Sequence, residues 1–423
     1  MDMQAKQSEA RNTGPATRRK AESAGPRPLD GVRIIDLTSV VMGPYATQIM
    51  ADFGADVIKV ENAHGDTTRF MPGCHEHGMG GTFLNLNRGK RSIVLDLKSP
   101  AGRDALLKMV READVFVHSM RSAAIARLNL RYEDIAEANP NIIYCNMYGF
   151  GRNGRYRDLA AYDDVIQAAC GSSMLQGMQN GTPAYVTTAI ADKVTALTGL
   201  SAIMMALFHR ARTGEGQEIE VPMFETMVSF NLVEHIGGAL FRPPVTRPYY
   251  DRVVSRLRRP YRTRDGYISA LVYNDKQWRA FVEVAGLPEN RDAGELDTLA
   301  KRLQNIDCVY QHVETAMATR TTKEWLKLFD RIGIPAMPLL SLEDLLEDEH
   351  LTDVDFFDER DTKHGRVRFP GIPTWFSKTP GRISDIGPAL GEHTEEVLKE
   401  YGFSAEEVET LIQTPLDGDQ SLE

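Results

Sequence analysis

Asp192 is the residue whose type and setting are best suited to chemistry. It follows the tripeptide Ala189-Ile190-Ala191, directly before a long apolar segment that we predict to be a helix. Two polar segments flank it along the chain, at residues 162–167 and 212–217. A carboxylate at the start of a helix is either a simple cap or a nucleophile. The choice between these two roles decides what the protein does.

Length, charge and cysteine content narrow the class of protein. The chain has 423 residues, with 49 Lys and Arg against 59 Asp and Glu, so its net charge is −10. This overall charge disfavours nucleic acid as a partner. The cysteines are Cys74, Cys145, Cys170 and Cys308, and they form neither a CxxC pair nor a metal-binding spacing. We therefore expect reduced thiols, no metal and a cytoplasmic location.

The first 28 residues are polar and lack the apolar segment of a secretory signal. We predict that residues 1–28 form a disordered N-terminal extension. No later stretch approaches the roughly 18 consecutive apolar residues that span a membrane, so no membrane partner is expected.

Apolar strands alternate with helices from Leu29 onward. Strands are predicted at residues 32–37, 55–61, 91–95, 114–118, 141–147 and 218–221. Such alternation predicts a mostly parallel, doubly wound α/β sheet with helices on both faces.

A change of composition after residue 240 predicts a second domain. Residues 29–240 form the first part of a large α/β domain, and residues 241–260, rich in Pro, Arg and Tyr, form a linker. Residues 261–333 are predicted to be a smaller α+β domain, with a hairpin turn at Asp265-Gly266 and a helix over 296–316. Residues 334–423 return to complete the large domain.

Common catalytic motifs are absent from the sequence. The first strand-to-helix turn, Ser39-Val40-Val41-Met42-Gly43-Pro44, lacks the GxGxxG fingerprint of dinucleotide-binding proteins. The chain also has no GxSxG, Walker or HExxH motif. His118 and His393 show no ligand spacing and are interpreted as packing or surface histidines.

Several segments, in this order, resemble the class III CoA-transferases, also called the CaiB/BaiF family. The resemblance covers nearly the whole chain from Leu29 onward. The segments that carry it are residues 29–37 (LDGVRIIDL), 54–61 (GADVIKVE), 65–66 (GD), 87–93 (NRGKRSI), 95–98 (LDLK) and 212–217 (RTGEGQ).

The resemblance implies an architecture that periodicity alone does not predict. Two chains would interlock in a homodimer. Each would have a large Rossmann-like domain, built from both ends of the chain, and a small inserted domain.

The resemblance also implies that Asp192 is the nucleophile. Its carboxylate, with an ordinary pKa near 3.9, is ionised at neutral pH and needs no partner base. It would attack an acyl-CoA thioester to give a mixed anhydride, which returning CoA thiolate converts into an aspartyl-CoA thioester. Backbone N–H groups near Gly171 or the helix start are candidates for stabilising the oxyanions. An acyl-CoA and a small carboxylic acid would be the substrates, with no permanently bound cofactor.

CoA-contacting residues carry over from the family by position. They are Arg127, Lys98, Arg91, Val40, Val41, Leu95, Ser119, Met120 and Tyr162. Val41 stands where some members have Gln, and Ser119-Met120 where some have Asn-Phe, so these contacts differ in detail.

Two alternatives remain at the sequence level. An α-methylacyl-CoA racemase has the same fold but would need a His at position 162, and a tyrosine is a poor replacement for an imidazole in proton transfer at neutral pH. A CoA-binding protein without turnover would be expected to lose Asp192.

The acceptor acid is the part of the function that the motifs leave open. Arginines and tyrosines alternate through residues 247–262. Such a run is usually a solvated surface. The sharper hypothesis is that one or two of these arginines, such as Arg259 or Arg262, are delivered by the partner chain and bind the free carboxylate of a dicarboxylic or aromatic acid. Succinyl-CoA or acetyl-CoA would then be the donor.

Overall fold

A computed structural model describes residues 25–287, 294, 296–363 and 365–413. Most of the predicted disordered extension, residues 1–24, lies outside the described residues. The described chain divides into two compact units, which are taken in turn below. The first contains the chain up to Ala160, Asp192–Met223 and the chain from Glu347 onward, and the second contains Ala161–Ala191 and Phe224–Leu346.

The strands and helices alternate in the first half of the chain. The strands are β1 Arg33–Leu37, β2 Asp56–Glu61, β3 Arg91–Val94, β4 Val115–His118, β5 Ile143–Tyr148, β6 Gln217–Pro222, β7 Tyr261–Arg262, β8 Tyr267–Ala270, β9 Ala336–Pro338, β10 Phe357–Thr362 and β11 Gly365–Pro370. The helices are α1 Met42–Asp52, α2 Gly81–Asn87, α3 Pro100–Val110, α4 Ser122–Arg127, α5 Tyr132–Ala138, α6 Asp163–Ala169, α7 Ser172–Asn180, α8 Ile190–Thr213, α9 Met223–His235, α10 Asp251–Val254, α11 Asp275–Ala285, α12 Leu299–Gln304, α13 Ile306–Met317, α14 Thr322–Ile332, α15 Leu342–Leu346, α16 Glu349–Asp353, α17 Thr394–Glu400 and α18 Ala405–Gln413.

The first unit is built on a six-stranded sheet in the order β3-β2-β1-β4-β5-β6. Every neighbouring pair in it is parallel. β4 and β5 are buried along their whole length, as expected for strands covered on both faces. The predicted mostly parallel α/β sheet is therefore confirmed.

The end of the chain contributes to the core of the first unit. Val397 and Leu398 of α17, Tyr401 directly after it and Val408 of α18 pack in one apolar cluster with side chains of α3 and of the sheet. The unit thus contains residues from both ends of the described chain. β10 and β11 form a separate antiparallel pair.

The second unit has its own small sheet and core. β7, β8 and β9 are antiparallel, and the hairpin expected at Asp265-Gly266 joins β7 to β8. Phe281, Trp325 and Phe329, all fully buried, stack at the centre of the core. The single helix predicted over 296–316 is wrong, because the backbone at Asn305 leaves helical geometry and separates α12 from α13.

α8 is the long apolar helix that the sequence predicts. Within the described residues it is the one helix whose length and composition, with a mean hydropathy of 1.4, would suffice to cross a membrane. One third of that stretch, 33%, is buried inside the chain. Core helices of globular proteins meet the same criterion, so the absence of a membrane partner stays a prediction.

A buried carboxylate, Asp36, lies near the carboxyl end of β1. It accepts hydrogen bonds from the N–H and hydroxyl of Thr38 and from the hydroxyl of Thr47 in α1. Its ion pair with Lys90 has an N–O distance of 3.1 Å, and both side chains are 0% exposed. Burial opposes ionisation, but the charges of Lys90 and Lys59 and the two hydroxyls lower the pKa of Asp36 to about 2.

Lys90 connects three parts of the first unit. Besides Asp36 it donates to the carbonyl oxygen of Pro44, at 3.1 Å, and to the side-chain oxygen of Asn87, at 2.9 Å. It therefore ties β1 to the first turn of α1 and to the end of α2. Since all three ammonium protons have acceptors, the buried charge is fully satisfied.

Substitution of Lys90 by Met should destabilise the first unit strongly. The change leaves Asp36 as a buried, unpaired charge, which costs about 3–5 kcal/mol. Lys399→Met is the matched control, because Lys399 pairs with Glu395 on the surface and such a pair contributes less than about 1 kcal/mol. Urea unfolding followed by circular dichroism measures both, and equal losses in the two variants would contradict the assigned role of Lys90.

Candidate active site

The strand order of the first unit reverses between β1 and β4. In an open parallel sheet, a crevice forms at the carboxyl ends of the strands at such a point, and ligands bind there. The turns after β1 and β4 contact each other, because the N–H of Ser39 donates to the side-chain oxygen of Ser119 at 3.2 Å. Four of the predicted CoA contacts, Val40, Val41, Ser119 and Met120, lie in these two turns.

The turn after β1 has an unusual backbone at Val40, with φ = 68°. Its N–H lies 3.2 and 3.3 Å from the two carboxylate oxygens of Asp66. Asp66 pairs with Lys59 at 3.0 Å, and both side chains are 1% exposed. Lys59 also donates to the carbonyl oxygen of Thr38 at 2.8 Å. The buried ion pair between Lys59 and Asp66 thus fixes the backbone of this turn.

The turn after β4 is held by His118, which is fully buried. Its Nδ1 accepts the N–H of Met120 at 3.2 Å, so the proton is on Nε2, which donates to the side-chain oxygen of Asn146 at 2.9 Å. Burial lowers the pKa of His118 to about 4, and the hydrogen bond with Asn146 opposes that shift. A neutral imidazole therefore orients the predicted contact at Met120. From its spacing in the sequence, His118 is interpreted only as a packing or surface histidine, and this positioning role is missed.

The predicted contacts on and around β3 separate in space. Leu95 and Lys98 follow its carboxyl end, but the side chain of Leu95 is buried in the core and that of Lys98 is exposed. Arg91 is the first residue of β3 and so lies at the opposite edge of the sheet. It pairs there with Asp56, at 2.7 Å, and with Glu400, at 2.8 Å. The structure does not bring Arg91 to the crevice.

Arg127 lies at the exposed end of α4, beyond the carboxyl end of β4. Together with Arg121 and Arg157 it lines a surface cavity of about 130 Å³, which also includes Asp158. Three guanidinium groups around one cavity suit a phosphate-bearing ligand.

Asp192 lies in the first turn of α8, which begins at Ile190. The position directly before the helix is Ala189, so the prediction that placed Asp192 there, and with it the N-cap position, is wrong by three residues. Gly199 packs against β5, where an added Cβ would lie 2.6 Å from a side-chain atom of Met147. Arg210, near the other end of α8, donates to the carbonyl oxygen of Asp114 at 3.1 Å, just before β4 begins. α8 thus runs antiparallel to the strands.

This orientation places the start of α8 at the carboxyl edge of the sheet. Asp192 precedes Gly199 by seven residues, or about 10 Å along a helix. It is partly buried, and the N–H groups at the start of a helix favour a negative charge. The first unit therefore presents Asp192 at the same edge as the turns after β1 and β4.

The second unit holds the segment that leads into α8. Gln167 of α6 accepts the N–H of Val186 at 2.8 Å and lies 3.4 Å from the carbonyl oxygen of Thr188. These bonds fix the chain two residues before Ile190. Tyr162 precedes α6 and is 65% exposed.

A left-handed turn at Gly171, with φ = 90°, precedes α7. Asn231 of α9 supports it by donating to the carbonyl oxygen of Cys170, at 3.0 Å, and to the hydroxyl of Ser172, at 2.9 Å. Gly171, at the N-cap position of α7, has no side chain to cap the helix, so the first N–H groups of α7 are candidate hydrogen-bond donors.

The arginines of residues 247–262 have different surroundings. Arg247 pairs with Asp251 at 3.2 Å and Arg259 with Glu314 at 2.7 Å. Arg262 lies in β7, is exposed, and forms no ion pair with any described residue. Nor does the described part of the chain contain a cluster of side chains able to hold a metal ion.

Comparisons with known proteins place these features in a family. The model of CoA-transferase family III matches residues 29–394. A succinate–glutarate CoA-transferase of Agrobacterium fabrum is 34% identical, with 88% of this chain and 95% of that protein covered. A succinyl-CoA:glutarate CoA-transferase of Mus musculus is 32% identical over 88% of this chain and 86% of that protein. A CaiB/BaiF family protein from Brucella suis superimposes with a TM-score of 0.74 and is 28% identical, covering 89% of this chain and 100% of that one.

Proposed function

The chain belongs to CoA-transferase family III, and we propose that it moves CoA from an acyl-CoA donor to a small dicarboxylic acid with Asp192 as the nucleophile. The family match confirms the predicted family. Relatives that are named as CoA-transferases confirm the predicted class of enzyme. The observation that carries the proposal is the placement of Asp192 at the carboxyl edge of the sheet, beside the strand-order reversal.

The proposed reaction conserves the energy of the thioester. The Asp192 carboxylate attacks the acyl carbonyl, forms a mixed anhydride and releases CoA thiolate. The thiolate then attacks the aspartyl carbonyl, which releases the donor acid and leaves an aspartyl-CoA thioester. The acceptor carboxylate attacks this thioester to form a second anhydride, and the thiolate attacks its acceptor carbonyl, which restores the carboxylate of Asp192.

The residues around the edge have different proposed tasks. The turns at Val40–Val41 and Ser119–Met120 would contact the CoA chain, while Arg127 and Lys98 would approach its phosphates. Leu95 would contribute only its backbone, because its side chain is buried in the core. Arg91 has no place in this proposal.

Donor and acceptor are proposed to be small dicarboxylic species, with succinyl-CoA as donor, because the similar transferases named above act on succinate and glutarate. The racemase alternative is not favoured. Tyr162 would have to replace its histidine, and a phenol with an ordinary pKa near 10 is a poor base at neutral pH.

Asp192→Ala should abolish transfer while the protein stays folded. Incubation of the unaltered enzyme with succinyl-CoA should give an adduct that peptide mass analysis locates at Asp192, and the variant should give none. Loss of the nucleophile should lower kcat by at least about a thousandfold. Asp164→Ala, which removes an exposed carboxylate from α6, is the control. A variant Asp192→Ala that retains transfer, or an α-proton exchange activity without transfer, would overturn the proposed mechanism.

Arg262 is the stronger candidate for binding the free carboxylate of the acceptor, because Arg259 already has Glu314 as a partner. Arg262→Ala should raise the KM for a dicarboxylic acceptor by about tenfold, the effect of losing one charge-assisted hydrogen bond. The Kd for free CoA is not expected to change, because this arginine would not contact the CoA portion of the donor. Arg259→Ala serves as the comparison, and an unchanged acceptor KM in the Arg262 variant would remove this residue from the site.

We also propose that two chains form an interlocked homodimer. Met205 and Phe208 of α8 are 70% and 66% exposed in the single chain, and Val233 of α9 is 82% exposed. Exposed apolar side chains of this size favour burial against a partner. The family resemblance supplies the interlocking itself.

Interlocked chains cannot exchange partners without unfolding. We therefore expect tagged and untagged native dimers to remain separate after mixing, and to form hybrids only after joint denaturation and refolding. Tagged pull-down followed by mass spectrometry measures the hybrid fraction. Rapid hybrid formation in native buffer would contradict interlocking, and a native mass equal to that of one 47.2 kDa chain would contradict the dimer.

A further inference from the structure

Val40 adopts a backbone conformation that its side chain disfavours. Among the described residues, three other than glycine have positive φ: Val40, Asn129 and Asp355. Asn and Asp tolerate the left-handed region because their short polar side chains bond locally, whereas a β-branched residue there is a true outlier. Some interaction must hold Val40 in place, since isolated strain relaxes.

Asp66 supplies that interaction. Its carboxylate receives the N–H of Val40, the N–H of Thr68 at 3.0 Å, the hydroxyl of Thr68 at 2.8 Å and the ammonium of Lys59 at 3.0 Å. Every neighbour in this set is a hydrogen-bond donor. Burial opposes ionisation, but the charge of Lys59 and the bonds from Thr68 outweigh it and hold the pKa of Asp66 below its ordinary value.

The position of Asp66 is itself fixed by further buried contacts. Lys59 is fully buried in β2, and the N–H of Asp66 donates to Glu61 at 2.9 Å. Glu61 in turn receives the guanidinium of Arg69 at 2.6 Å, and both side chains are at most 3% exposed. Asp66 therefore has little freedom to follow the turn if the turn moves.

The left-handed residue shapes the connection from β1 to α1. Only four residues, Thr38 to Val41, separate the end of β1 from the first residue of α1. Gly43 in the first turn of α1 approaches the side chain of Thr38 so closely that an added Cβ would lie 2.2 Å from it. An ordinary extended conformation at Val40 would redirect the chain and separate these two elements.

We propose that Asp66, anchored by Lys59, is a positioning residue that holds Val40 in the left-handed conformation required for CoA binding at the turn after β1. This inference rests on the proposed function, because the turn is one wall of the proposed CoA site. Asp66 itself makes no proposed contact with the substrate.

Asparagine cannot take over this task. One of its two terminal atoms would be an NH₂ group facing the N–H of Val40 together with either the ammonium of Lys59 or the N–H of Thr68, and none of these groups can accept a hydrogen bond. Glycine at position 40, in contrast, adopts positive φ without a steric penalty. The need for Asp66 should therefore depend on which residue stands at position 40.

A double-mutant cycle with Asp66→Asn and Val40→Gly tests this dependence. Calorimetric titration with CoA itself measures the Kd for each variant, and steady-state kinetics separates KM from kcat. We expect Asp66→Asn to weaken CoA binding by about tenfold with a smaller effect on kcat. Val40→Gly sets the reference Kd for its own background, and relative to that value Asp66→Asn should cost less than about threefold.

The control is Glu407→Gln, which alters a carboxylate that accepts the N–H of Ser404 at 2.7 Å at the exposed start of α18. It should leave the Kd for CoA unchanged. If Asp66→Asn does not fold alone, Lys59→Met/Asp66→Asn replaces it, because this pair of changes leaves no buried charge unpaired. Adding Val40→Gly to it should then return the Kd for CoA to within about threefold of that of Val40→Gly alone.

An equal loss of CoA affinity in both backgrounds would overturn the inference. In that case the proposed transfer reaction stands if the unaltered protein binds CoA. A failure of the unaltered protein to bind CoA would instead overturn the proposed function, and this inference with it.

Discussion

Two buried ion pairs, between Asp36 and Lys90 and between Lys59 and Asp66, form the constraint on which the candidate site depends. With Glu61 and Arg69 they place three cations and three anions under the carboxyl ends of β1 and β2. Removing so many charges from water costs several kcal/mol for each ion, and close pairing with further hydrogen bonds must offset it. Because each ion pair offsets the cost of burial only while its two charged groups stay in contact, the chain segments that carry these groups are held in one arrangement.

That arrangement supports the chemistry without taking part in it. Lys90 fixes α1 against β1, and Asp66 fixes the turn between them. On the neighbouring strand, a neutral His118 fixes the turn that carries Met120. The proposed nucleophile, Asp192, lies on a separate long helix whose direction is set by Gly199 against β5 and by Arg210 at the other end of the sheet. The rigid sheet edge and the separately anchored start of α8 can thus both contact a long, flexible ligand such as an acyl-CoA.

The sequence predicts the parallel sheet well, because apolar strands such as β4 and β5 are buried on both faces and leave a direct compositional signal. The position of Asp192 near a helix start is also predictable, to within three residues. Other features depend on tertiary contacts that no local pattern records. The break at Asn305 interrupts a pattern that reads as one helix. Arg91 lies within a segment typical of the family, yet the direction of β3 carries it to the far edge. The left-handed backbone at Val40 follows from Asp66, which is 26 residues later in the chain.

The most direct test of the central claim follows oxygen atoms through the reaction. If Asp192 forms the two proposed anhydrides, the bridging oxygen of the second one comes from the acceptor carboxylate and stays on the aspartate when thiolate attacks the acceptor carbonyl. Turnover with succinyl-CoA and an acceptor acid labelled with ¹⁸O in its carboxylates should therefore place ¹⁸O in the Asp192 side chain, seen as a mass increase of the peptide that contains it. Transfer of CoA at full rate with no label in that peptide would contradict the account.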